Sequence, residues 1–295
     1  MTLDIQVRDL TLRYGRRTTA LDRLSLTLEG GKIYGLIGRN GSGKTSLLSV
    51  LAAFRRATGG EVRIGGENPY ENERITRQIC LIRESGDVLD YRVHRMLDFA
   101  RRLRPHWDQE YAQRLVDRFR LPLRKRPQQL SRGQRSALGC VLGLASRAPL
   151  TMFDEAYLGM DAPSRYAFYD ELVTDYAAHP RTIILSTHLI EEFGSLFEEV
   201  VMIDQGGLVL HEETDALRTR GAAVTGPAEQ VDTFVAGATG MTVVGERRLG
   251  GTKAVTVYGP LSDEQRHRAK TAGLQLEPVA LQDLFVHLTA EAGAA

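Results

Sequence analysis

Cysteine is scarce in this chain, and no long apolar run interrupts it. The two cysteines, Cys80 and Cys140, each lie inside an apolar segment, with no metal-type spacing and no nearby histidine pair. That excludes a disulfide framework and a cysteine metal site, and it fits buried free thiols in a reducing compartment. No stretch approaches the roughly 18 uninterrupted apolar residues that a membrane helix requires. The opening MTLDIQVRDL lacks the basic start and apolar core of a secretory signal. The expectation is a cytoplasmic protein, peripheral on the inner face of the cell membrane if it meets a membrane at all. A large excess of one charge is missing too. A net charge of +1 argues against a nucleic-acid coat, and no nucleic acid is expected as a partner. The average hides one local excess: from Arg92 to Arg135 there are 13 Lys/Arg against 4 Asp/Glu. Solvated helix faces explain it; a surface that meets phosphates or a basic-tolerant partner is the alternative.

What is present is ordinary for a globular protein: 42% hydrophobic and 25% charged residues over 295 positions, enough for one large α/β domain and a small one. Ile5, Val7, Leu10 to Leu12 and Leu24, Leu26, Leu28 flank a basic turn, which predicts an edge hairpin. A buried strand, Ile33 to Ile37, runs into a glycine-rich turn and an apolar helix near Thr45. Further strands are expected at Glu61 to Ile64, Ile79 to Ile82, Leu150 to Phe153 and Thr182 to Ser186. Helices are expected between Val93 and Leu123, interrupted at Pro105, and at Ser136 to Ala145 and Ser164 to Ala177. Alternating strands and helices imply a mainly parallel sheet covered on both faces. After Thr214 glycines punctuate shorter elements. Strands at Ala222 to Thr225, Met241 to Arg248, Lys253 to Tyr258 and Leu274 to Glu277 surround helices at Pro227 to Ala236 and after Ser262. Ser262 and Gln265 are spaced for a capping box, and a last helix is expected at Leu281 to Ala290. The order β-α-β-β-α-β fits a ferredoxin-like plan.

Three segments carry chemistry. Gly38-Arg39-Asn40-Gly41-Ser42-Gly43-Lys44-Thr45 satisfies G-x-x-x-x-G-K-[ST] without deviation, between a buried strand and an apolar helix. Its glycines let backbone N–H groups wrap around phosphates at a helix N-terminus, Lys44 reaches the phosphate oxygens, and the Thr45 hydroxyl is placed for Mg²⁺. Candidate nucleotide contacts are therefore Gly38, Asn40, Gly41, Ser42, Gly43, Lys44, Thr45 and Ser46. Downstream, the apolar run Leu150 to Phe153 ends in Asp154 and Glu155. Asp154 suits a metal shell, and Glu155 suits a base that takes a proton from water. Between them lies Leu130-Ser131-Arg132-Gly133-Gln134, ahead of an apolar helix that Ser131 is suited to cap.

In this combination the chain resembles the ATP-binding cassette (ABC) family of nucleotide-binding subunits. The resemblance covers roughly residues 1 to 220, with all motifs in order. It implies a P-loop NTPase cassette: a mainly parallel sheet, an antiparallel β-subdomain and a helical subdomain at about 88–147. Residues 221–295 would form a small C-terminal α+β ferredoxin-like domain. Leu130 to Gln134 is similar to the family's LSGGQ signature, so Ser131, Gly133 and Gln134 are expected to meet ATP bound by a second, identical or homologous subunit in a head-to-tail dimer. By the same matching Tyr14 stacks on adenine, Asp161 communicates across the dimer, and Glu84 stands where many members have a glutamine and offers an oxygen to Mg²⁺. His188 contacts the γ-phosphate and helps hold Glu155. Glu155, His188 and Lys44 are the expected catalytic groups; Thr45, Glu84 and Asp154 are the expected metal ligands; ATP and Mg²⁺ are the expected cofactors. Three departures stand out: Arg132 for glycine, Glu84 for glutamine, and Ala156 for the proline that usually follows the glutamate. The implied activity is Mg-dependent ATP hydrolysis that drives a separately encoded membrane permease, in an exporter-type branch suggested by Gly66 to Asn72 and Leu281 to Phe285. Docking is expected near Glu84 and Val88 to Tyr91. A non-transport ABC ATPase and a regulatory partner in a heterodimer are the alternatives.

Overall fold

A computed structural model describes residues 2–15, 17–84, 90–188, 190–238 and 240–279. The chain divides into two compact units, Met1–His188 with Glu199–His211, and Leu189–Glu198 with Glu212–Ala295. In chain order the elements up to the first catalytic-looking carboxylates are β1 (Ile5–Tyr14), β2 (Thr18–Leu28), β3 (Ile33–Ile37), α1 (Lys44–Leu51), β4 (Gly59–Ile64), α2 (Glu73–Thr76), β5 (Ile79–Arg83), α3 (Val93–Leu103), α4 (Gln109–Arg118), α5 (Arg132–Ser146) and β6 (Leu150–Asp154). Then follow α6 (Ala162–Ala178), β7 (Thr182–Thr187), α7 (Ile190–Phe193), β8 (Glu199–Asp204) and β9 (Gly207–Glu213).

Two sheets organise the first unit. β2, β1 and β4 form an antiparallel three-stranded sheet, and a six-stranded sheet runs in the order β5-β6-β7-β3-β8-β9. The pairings of β3 with β7 and β8, and of β6 with β5 and β7, are parallel. Every residue of β3, β6 and β7 is buried, the signature of strands covered on both faces. The P-loop NTPase cassette expected from the sequence is therefore the fold observed, with the hairpin, the buried strands and the helical segments where their patterns place them. Strands β8 and β9 carry no motif and were not anticipated, although Val200 to Ile203 is a buried apolar run. Helix α5 starts four positions before the expected Ser136, because Ser131 and Gln134 form a reciprocal capping box that fixes the N-terminus. Pro105 lies in the break between α3 and α4, and Asp108 caps α4 through the Tyr111 N–H.

One face of α1 anchors the phosphate loop. Leu47, Leu48 and Leu51 are buried in a cluster with Leu36, Met152 and Ile184 from the parallel sheet and with apolar residues of β1, β2 and β4. Burying each such side chain contributes about 1.5–3 kcal/mol. That packing holds the start of α1 against the C-terminal edge of β3.

The second unit continues with α8 (Thr214–Arg220), β10 (Gly221–Pro227), α9 (Ala228–Ala236), β11 (Thr242–Leu249), β12 (Thr252–Tyr258), α10 (Asp263–Thr271) and β13 (Gln275–Pro278). Its sheet order is β11-β12-β10-β13, and its described pairings are antiparallel. Val231, Phe234 and Ala269 from the two helices pack on Val224, Val255 and Val257 of the strands. The Ser262–Gln265 capping box forms as its spacing predicts. The expected helix at Leu281 to Ala290, the segment Leu281 to Phe285, and Val88 and Leu89 lie outside the described residues.

Candidate functional site

The site grows out of the turn after β3. Gly43 takes the N-cap position of α1 with φ 108°, and no side chain caps the helix. Its first N–H groups are thus left facing outward at the positive end of the helix, a ready anion cradle. A side chain at Gly43 is excluded twice: by the left-handed backbone, and by the Ala20 carbonyl oxygen, 2.6 Å from where a Cβ would stand. Lys44 is buried. Its ammonium donates to the Gly38 carbonyl at 2.6 Å and the Arg39 carbonyl at 3.1 Å, folding the side chain along the loop. Burial pushes the Lys44 ammonium below the ordinary lysine range, while Glu155 and Asp154 pull it the other way.

The carboxylates come from the end of β6. Asp154 is buried, and its Oδ1 has no hydrogen-bond partner among the described residues. The same holds for the buried hydroxyls of Ser42 and Ser186. The unpartnered hydroxyl of Ser42, inside the loop, and the unpartnered Oδ1 of Asp154 fit a place that holds a ligand. Glu155 adopts φ 50°, an uncommon left-handed geometry for a non-glycine residue. Its N–H donates to the Ser186 carbonyl at 3.2 Å, tying it to the end of β7. Its carboxylate stands 3.8 Å from the Lys44 ammonium and 3.4 Å from Nδ1 of His188. One edge of the sheet therefore presents a cation, two carboxylates and an imidazole around an uncapped helix. A cavity of about 190 Å³ is lined by Asn40, Gly41, Gly43, Lys44, Thr45, Ser46, Ala20 and Glu155. Thr45 is exposed in the first turn of α1, facing solvent as a ligand would require. Such a set can bind a polyphosphate and offer a carboxylate to a nearby water.

The remaining expected residues distribute as follows. Tyr14 ends β1, is 40% exposed, and shares a hydrogen bond of 3.2 Å with Ser46 Oγ, which ties its ring to α1. The Arg55 guanidinium lies 5.5 Å from that ring's centroid. Ser131 Oγ accepts from the Gln134 N–H at 3.1 Å, and Gln134 Oε1 accepts from the Ser131 N–H at 3.2 Å, so the Gln134 side chain is engaged within its own helix turn. Gly133 approaches the Gly159 carbonyl so closely that a Cβ would sit at 3.1 Å. Asp161 caps α6 by accepting from the Ser164 N–H at 3.0 Å; bonds from Ser164 hold its carboxyl below the usual range. The Glu84 carboxylate receives the Arg132 guanidinium. Glu84, Ser131, Gly133, Gln134 and Asp161 do not line the phosphate-loop cavity. Arg55 and Ser186 escaped the sequence reading. Arg55 belongs to no motif, and Ser186, the last residue of the strand expected at Thr182 to Ser186, works through its carbonyl, which a sequence does not advertise. A separate groove of about 440 Å³ beside β5 is lined by Ile82, Met96, Phe99, Leu103 and Leu142 among others. Tyr91, 41% exposed, has its ring 5.2 Å from Phe99.

Comparison with known proteins points to one family. Residues 21–158 match a family model described as ABC transporter. The chain is 30% identical to the aliphatic sulfonates import ATP-binding protein SsuB 2 of Agrobacterium fabrum, over 69% of this chain and 77% of that protein. It is 29% identical to the ABC transporter ATP-binding protein YtrB of Bacillus subtilis, over 67% and 68% of the two chains. It is also 29% identical to the daunorubicin resistance ATP-binding protein DrrA3 of Streptomyces coeruleorubidus, over 95% of this chain and 93% of that one. Among solved structures, the ATP-binding subunit of an ABC transporter superposes with a TM-score of 0.65 at 23% identity, covering 72% of this chain and 91% of that one. A dimeric bacterial ABC transporter cassette superposes at 0.63 with 19% identity, covering 71% and 98%. Among the described residues no helix is long and apolar enough to cross a membrane.

Proposed function

The chain belongs to the ABC transporter family of ATP-binding proteins and is an ATPase coupled to transport, and on that premise we propose that two copies, or this chain and a homologue, close head to tail around two ATP molecules. One observation carries this reading. Lys44 and Glu155 line one cavity, with His188 3.4 Å from Glu155 and Asp154 just before it at the end of β6, while Ser131, Gly133 and Gln134 do not line that cavity, as expected of residues that serve a second subunit's nucleotide. In the proposed mechanism the N–H groups at the start of α1 and Lys44 bind the β- and γ-phosphates, and Tyr14 stacks on adenine. Glu155 takes a proton from the attacking water, and His188 holds Glu155 and the γ-phosphate in register. Mg²⁺ fits the donor set: the exposed Thr45 hydroxyl and the buried Asp154, whose Oδ1 has no partner among the described residues. When bound, it would neutralise phosphate charge. Glu84, also expected as a metal ligand, is engaged by Arg132.

The coupled partner is proposed to be a separately encoded membrane permease, which places this chain peripherally on the inner membrane face. The apolar groove beside β5, with Tyr91 and Phe99 exposed near it, supports docking there. Export is favoured because the resistance relative matches 95% of the chain, whereas the sulfonate importer matches 69%. For function we divide the chain at residue 220, since the β-α-β-β-α-β order begins with β10 at Gly221. Residues 221–295 then form a ferredoxin-like accessory domain, a reading that this element order supports. Sedimentation with Mg²⁺ and the non-hydrolysable AMP-PNP tests the dimer: the wild-type chain should run as a dimer, and Ser131→Arg should run as a monomer. A wild-type chain that stays monomeric refutes the homodimer.

A further inference from the structure

Two of the three positions at which this sequence departs from the family pattern meet in space. Arg132 opens α5, and its guanidinium pairs with the carboxylate of Glu84, 48 residues earlier. Neither residue is isolated from the site. Arg83 pairs with Asp154 in the parallel ladder of β5 and β6, and the Glu84 N–H extends that ladder by donating to the Asp154 carbonyl at 3.0 Å. Glu84 therefore adds a third carboxylate-bearing residue, beside Asp154 and Glu155, at the ends of two neighbouring strands. Arg132 also leans on the chain leaving Glu155: a Cβ at Gly159 would meet its Cγ at 2.8 Å and its carbonyl oxygen at 2.9 Å.

We propose that Arg132 and Glu84 form one compensating charge pair, in which Arg132 is a positioning residue that holds and cancels a third carboxylate beside the nucleotide site. The inference rests on the reading of Lys44, Asp154 and Glu155 as that site. ATP brings several negative charges to this edge. An uncancelled Glu84 repels them, and an uncancelled Arg132 attracts them. The pair therefore lets the chain carry both departures together at little cost to nucleotide affinity, whereas either alone shifts it. Its side chains are 67% and 36% exposed, so the effect is moderate and weakens with salt.

Titration calorimetry of the full chain with Mg²⁺ and AMP-PNP tests this. Arg132→Gly should weaken binding about fivefold at low salt, on the scale of an exposed charge contact. Glu84→Gln should tighten binding. The double variant should recover most of the loss, Arg132→Lys should keep most of the affinity, and the Arg132→Gly deficit should shrink at high salt. A packing role for Arg132 would give neither rescue by Glu84→Gln nor salt dependence. A double variant as weak as Arg132→Gly, or an Arg132→Gly affinity equal to wild type at low salt, overturns the pair. Lys44→Ala separates the two readings: if it binds AMP-PNP like wild type, the site assignment fails and the pair falls with it. If Lys44→Ala loses binding while Glu84→Gln fails to rescue Arg132→Gly, only the pair is wrong.

Discussion

Gly43→Ala is the sharpest test of the phosphate loop, because two independent costs fall on one atom. An L-residue at φ 108° carries about 1–2 kcal/mol of backbone strain. The new Cβ would stand 2.6 Å from the Ala20 carbonyl oxygen and 3.0 Å from Leu21 Cδ2. That carbonyl belongs to β2, which is paired with β1 and cannot step aside cheaply, so overpacking adds about 1–3 kcal/mol. The sum is at least about 2 kcal/mol. If the loop shifts to relieve it, the loss appears as roughly 30-fold weaker binding of Mg-AMP-PNP. If the loop holds, it appears as a melting temperature lower by about 4–8 °C. Gly41→Ala is the control. Its φ of 84° carries the backbone strain, yet no atom lies within 4 Å of its Cβ position, so about fivefold suffices there. Calorimetry and thermal melts of both variants decide the matter. Gly43→Ala with affinity within about twofold of wild type and an unchanged melting temperature would refute the packing argument.

Lys44→Ala should lose nucleotide affinity outright, since the ammonium is the one cation that the structure buries within the loop; equilibrium titration with Mg-AMP-PNP measures it. Asp161→Asn should remove part of the acid sensitivity. Bonds from Ser164 lower the Asp161 carboxyl below its ordinary 3.8, so its contribution to stability is present above that value and is lost as pH falls below it. Melts recorded from neutral pH down to the acid range should show a shallower decline for the asparagine variant.

The parts of this molecule that were legible in the sequence are those set by local rules. The glycine pattern before Lys44 is legible because only glycine tolerates the left-handed turn at Gly43. The capping boxes at Ser131 and Ser262 follow from spacing alone. Buried parallel strands announce themselves as apolar runs, which is how β3, β6 and β7 were placed. Strand β8 shows that the signal can be present and still be passed over when no motif draws attention to it. Contacts between distant segments left no trace. The sequence shows Arg132 and Glu84 as two separate departures from a pattern, and only the fold shows that they are partners. The left-handed φ of Glu155 and the Ser186 carbonyl that fixes its N–H are backbone facts with no residue type to betray them. Gln134 carried a functional expectation, and the structure adds that its amide also closes a helix cap.

The central claim is that hydrolysis runs through Glu155 at the end of β6. The most direct measurement is the turnover of Glu155→Gln with Mg-ATP, alongside its affinity for the nucleotide. The amide keeps the size and the hydrogen-bonding reach toward His188 but cannot take a proton. The account predicts retained ATP binding with hydrolysis at least ~100-fold slower than wild type, the scale of a lost general base. A Glu155→Gln protein that binds ATP and turns it over at a near-normal rate would contradict it.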